Sequence, residues 1–106
     1  MSDEAPVRHP PEFRRLCDDV IEHFRVLAAA EPMERGRMIP AIRAALARID
    51  EWIDEQDIGS TATFAREQGL LVNASSALES IDLDRGGPHV RRYVDRAIAD
   101  IQQVAG

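Results

Sequence analysis

A chain of 106 residues, 44% apolar and 30% charged, is long enough for one domain with its own core and too apolar for intrinsic disorder. A single cysteine excludes an internal disulfide, the acidic start Met1-Ser2-Asp3-Glu4 is no secretory signal, and no apolar run approaches the ~20 residues of a membrane span. The expected setting is the reducing cytoplasm. All thirteen basic residues are arginine, which a GC-rich coding bias or a demand for planar, bidentate donors would each produce.

Residues 1–10 read as a flexible N-terminal arm that ends at His9-Pro10-Pro11, and residues 11–106 as a single helical-bundle domain. From Pro11 to about Ala30, Phe13, Leu16, Val20, Ile21, Phe24 and Leu27 recur every three or four positions, the spacing of an amphipathic helix. Glu31-Pro32 breaks it, and Gly36 and Pro40 predict an irregular or briefly helical stretch over 31–39. A second stripe, Met38, Ile42, Ala45, Leu46, Ile49 and Ile53, runs to about Asp57 and stops at Gly59, a C-terminal cap position.

The segment 61–83 conflicts with itself when written as one helix, because Glu67 falls in the middle of the face shared by Phe64, Leu71, Ala74, Leu78 and Ile81. A break near Gly69 removes the conflict. A short helix Thr61–Gln68 then leaves Glu67 outside, and a second, N-capped by Asn73, buries Ala74, Ala77, Leu78 and Ile81. Asp84-Arg85-Gly86-Gly87-Pro88 is a loop, and the last helix carries Val90, Val94, Ala97, Ile98, Ile101 and Val104 on one face. No strand-like alternation occurs, so the expected fold is all-α, a compact bundle of four to five amphipathic helices with its third segment broken near Gly69.

Charge is distributed unevenly along these elements. Residues 1–49 hold eight acids and eight arginines, residues 50–84 nine acids and one arginine, and residues 85–106 two acids and four arginines. The net charge of −6 is therefore the property of one internal stretch, which makes it the first candidate contact surface. Within it Asp50, Glu51, Asp54, Glu55 and Asp57 face outward opposite Ile42, Ile49 and Ile53, at the end of a helix whose dipole disfavours acids. Trp52 stands on the border of this face, and tryptophan is enriched at binding hot spots. The pattern suits a basic protein surface as partner, met by an adaptor, inhibitor or regulatory subunit.

Thr63-Phe64-Ala65-Arg66-Glu67-Gln68-Gly69-Leu70 resembles the first helix and turn of a repressor-type helix-turn-helix. That resemblance implies Ala65 packed on the second helix, Gly69 in the turn, Leu70 plugging it, and Asn73–Ile81 as recognition helix with Leu78 buried. The implied DNA-binding regulator would draw its phosphate contacts from Arg85, Arg91, Arg92 and Arg96. Against it, the implied recognition helix exposes Ser75, Ser76, Glu79, Ser80 and Asp82 and no arginine, in a stretch that repels phosphate, so nucleic acid is not the expected partner. A third reading is a structural homo-oligomer such as a homodimer, joining the acidic middle of one copy to the arginine-rich last helix of another.

Nothing nominates a catalytic residue, so the chain reads as a non-enzyme without cofactor or metal. A bundle carboxylate site needs Glu-x-x-His pairs on two helices, and none exists. His23, one turn after Asp19, is expected to bond Asp19 or water. Neither His23 nor His89 is followed by the Lys and Gly of a phosphotransfer histidine, and Gly86-Gly87 lacks the Lys-Ser/Thr of a phosphate-binding loop. Cys17, beside Val20 and Ile21, reads as an inert buried thiol.

Overall fold

The computed structural model describes residues 11–56, 65–82 and 85–105. They form α1 (Pro11–Ala29), α2 (Pro32–Gln56), α3 (Ala65–Ser80) and α4 (Gly87–Ala105), an all-helical bundle as the periodicity predicts. The arm 1–10, the cap position Gly59 and the aromatic Phe64 lie outside the described residues.

Pro11 opens α1 where its missing N–H costs no helical bond. The helix buries Phe13, Cys17, Val20, Ile21, Phe24 and Leu27, and a tight bond from Ala30 N–H to the Leu27 carbonyl (3.2 Å) closes it. Only Ala30 and Glu31 separate α1 from α2, which folds the two helices back on each other. Around the bundle α1 packs on α2 and α4, and α3 packs on α4; of the pairs in contact, α2 and α3 meet least. Each fully buried Leu, Ile, Val or Phe in this arrangement contributes about 1.5–3 kcal/mol of transfer free energy, so Phe24, Leu27, Ile42, Ile49, Ile53 and Ile101, none measurably exposed, form its centre.

Two expectations need correction. The stretch over 32–39 is not irregular: α2 begins at Pro32 and runs through Pro40. Pro32 sits at the first helical position, where it is tolerated, and Pro40 and Gly36 are both exposed, so the Gly36 carbonyl that loses its N–H partner can face water. The second correction is larger. The third segment is not broken near Gly69; α3 is one continuous helix from Ala65 to Ser80. Gly69 is exposed on it, with open space where a Cβ would stand, and Asn73 is an exposed mid-helix residue, not a cap. A helical glycine costs about 1 kcal/mol against alanine, which the burial of Leu71, Ala74, Ala77 and Leu78 on one continuous face outweighs. Glu67 is accordingly buried rather than outside, at 9% exposure, with its carboxylate 3.6 Å from Arg66 Nη1. Arg66 also donates to the Gln103 carbonyl (3.1 Å), tying the start of α3 to the end of α4.

Candidate functional site

The last two turns of α2 carry the acidic face. Asp50, Glu51, Asp54 and Glu55 are all exposed, while Ile49 and Ile53 beneath them are fully buried. The helix places them so because its apolar stripe packs toward α1 and, less closely, α3, which turns the intervening positions outward. Asp57, the sixth residue of the expected site, lies outside the described residues. Trp52 is the member that stands apart. It is 8% exposed, and its ring lies 4.7 Å from that of Phe13 at 43°. Trp52 therefore holds the acidic turn onto α1 from below, and its indole offers little surface to a partner.

The four carboxylates make no ion pair among the described residues, and the last turn of α2 contains no basic residue to offset the negative end of the helix dipole. One to two turns earlier the same helix behaves differently. Arg43 grips Glu79 of α3 with both ends of its fork, Nε to Oε2 at 2.8 Å and Nη2 to Oε1 at 2.9 Å. These hydrogen bonds, with the guanidinium charge behind them, hold the Glu79 carboxyl below the usual carboxylate range. Arg48 reaches Asp19 of α1 at 3.4 Å. Potential on the outer side of α2 is thus cancelled in its middle and left uncancelled at its C-terminal end.

Asp50 also stands on the rim of an open groove between α2 and α3, of about 760 Å³. Leu46, Leu71 and Leu78 form its floor, and Val72, 63% exposed, lies on its α3 wall. The Arg43–Glu79 bridge crosses between the same two helices. This groove is where α2 and α3 fail to close, and periodicity alone does not show it: Ala47, Ser75 and Ser76 are too small to fill the seam.

Elsewhere the chemistry is quiet. His23 donates from Nδ1 to the Asp19 backbone carbonyl at 2.7 Å, as its spacing suggests. Among the described residues no group of three His, Cys, Asp or Glu side chains could hold a metal ion, and no helix is long and apolar enough to cross a membrane. Cys17 is fully buried, and burial, with the Asp18 charge adding to it, pushes its thiol up to about 12. Arg85, Arg91, Arg92 and Arg96 are exposed, but the turn that would set a recognition helix beside them is absent, because Gly69 lies inside α3. The chain matches no protein-family model, and no curated protein or solved structure is significantly similar to it.

Proposed function

We propose that this protein is a small interaction module that docks a basic protein surface on the acidic end of α2. The observation that carries the reading is the set of four exposed carboxylates, Asp50, Glu51, Asp54 and Glu55, unpaired among the described residues, at the negative pole of a helix whose Arg43 and Arg48 are already engaged. Such a patch steers a cationic partner and fixes its orientation, and it acts on the association rate more than on the final affinity. The adjoining groove supplies what charge alone lacks. An apolar side chain flanked by arginines would seat over Leu46 and Leu71 while its cations meet Asp50 and Asp54. An adaptor, inhibitor or regulatory subunit would work in this way.

The test is the triple variant Asp50→Asn, Asp54→Asn, Glu55→Gln. It should fold as the wild type does and associate with its partner about tenfold more slowly at low ionic strength, a difference that shrinks as salt is raised. An unchanged association rate overturns the reading. Salt-sensitive self-association lost in the same variant would instead assign the face to the arginines of a second copy, Arg91 and Arg92 among them.

A further inference from the structure

The most anomalous side chain in the molecule lies at the opposite end of α2. Arg35 is 5% exposed, and its Nε is buried with no hydrogen-bond partner. Among the described residues its guanidinium makes one bond, from Nη1 to the backbone carbonyl of Arg85, at the long distance of 3.5 Å. No carboxylate among the described residues pairs with it, although Glu31 and Glu34 are close in sequence and exposed. A buried guanidinium without a counter-charge is unfavourable, and an unsatisfied buried donor in a folded protein calls for a cause.

The place to which Arg35 points aggravates the problem. Arg85 immediately precedes Gly86 and Gly87, where α4 begins. That helix has 19 residues, so the positive pole of its dipole lies beside the buried cation. The bonds of the turn go from His89 N–H and Val90 N–H to the Gly86 carbonyl, which leaves the Gly87 amide without an intrahelical acceptor. A Cβ built on Gly87 would meet nothing within 4 Å, so the backbone there can be approached. Arg85, two residues before the helix, is exposed and carries a second guanidinium.

We infer that this corner is an oxyanion site, in which Arg35, Arg85 and the amide end of α4 together receive a phosphate group. A tetrahedral dianion answers these features together: it supplies the counter-charge that no described residue gives Arg35, accepts from an arginine fork, and meets the Gly87 amide at the positive end of α4. The group is either free phosphate or the terminus of a phosphate monoester. This site is separate from the acidic face and does not rest on its role.

The experiment is a ¹H–¹⁵N NMR titration of the full chain with potassium phosphate, potassium chloride at matched ionic strength, and phenyl phosphate. The Arg35 Nε–H and Gly87 amide signals should shift saturably with inorganic phosphate and stay put in chloride. Saturation by phenyl phosphate as well supports an ester-borne group, and its failure supports free phosphate. Arg35→Lys keeps the charge but loses the fork, and should weaken the Gly87 response at least tenfold. Gly87→Asp, which places a carboxylate at the same helix end, should abolish the phosphate response of Arg35 even if the lysine variant fails to fold. Equal shifts in chloride, or an unaltered curve in either variant, would overturn the assignment.

Discussion

The two ends of α2 carry charge of the wrong sign for the helix that bears them, and they bear it in opposite ways. At the N-terminal end Arg35 is buried, while at the C-terminal end Asp50, Glu51, Asp54 and Glu55 stand in water. Exposed charge against a dipole costs a fraction of a kcal/mol, because solvent screens it. A buried cation has no such relief, and needs a counter-ion or a complete set of acceptors. The comparison separates two kinds of recognition. The exposed end can act at long range and alter how fast a partner arrives, whereas the buried end can act only on contact and alter what is bound at equilibrium.

The largest effect should come from removing what fixes the acidic end in place. Trp52→Ala deletes a buried indole packed on Phe13 and should cost about 3–5 kcal/mol in urea unfolding. A loss of less than about 1 kcal/mol would mean that the ring is not part of the core. At the other end, Arg35→Met replaces a buried cation, paired by no carboxylate among the described residues, with an apolar chain of similar length. In phosphate-free buffer it should leave stability unchanged or raise it by up to about 1–4 kcal/mol, with circular dichroism melts as the check. A marked loss would show that the guanidinium is satisfied within the protein, and would erase the contrast between the ends.

Smaller still is the effect of neutralising the exposed acids. Asp54→Asn and Glu55→Gln should each stabilise the chain by about 0.3–1 kcal/mol at low salt, measured by the shift of the urea midpoint, and the gain should fade as ionic strength rises. A loss would mean that these carboxylates already have a partner in the fold. The least effect concerns the middle of the helix, where charge is cancelled. Because Arg43 lowers the folded-state pKa of Glu79, the pair contributes stability above the ordinary carboxylate range and loses it as pH falls through the folded value. Glu79→Gln should therefore flatten the acid limb of stability against pH and leave neutral and alkaline behaviour alone. An acid limb identical to wild type would show that the bridge does not persist in solution.

The core of this bundle is written openly in the chain. Phe13, Val20, Ile21, Phe24 and Leu27 in α1, and Val90, Val94, Ala97, Ile101 and Val104 in α4, stand at helical spacing and are all buried. The exposed carboxylates are equally legible, since a helix with Ile49 and Ile53 inside must turn Asp50 and Asp54 out. Other features depend on contacts between elements. Gly69 and Asn73 carry local signals for a turn and a cap, yet the buried face of α3 overrides both. Pro40 signals a break, but α2 keeps it on the solvent side and continues. Trp52 sits on a border in projection, and only Phe13 across the α1–α2 contact shows which side it takes. Arg35 is the extreme case, because no periodicity marks an arginine as interior; its burial follows from the arrival of Arg85 and the start of α4, fifty residues away.

The central claim, that the acidic end of α2 is a docking face, is tested most directly by using two baits side by side. Wild-type protein and the Asp50→Asn, Asp54→Asn, Glu55→Gln variant, matched for thermal stability, would be exposed to nuclease-treated native lysate, and bound proteins quantified by mass spectrometry. The account predicts a stoichiometric partner with a basic surface, held by the wild type and depleted at least tenfold on the variant. The same partners in the same amounts on both baits would contradict it.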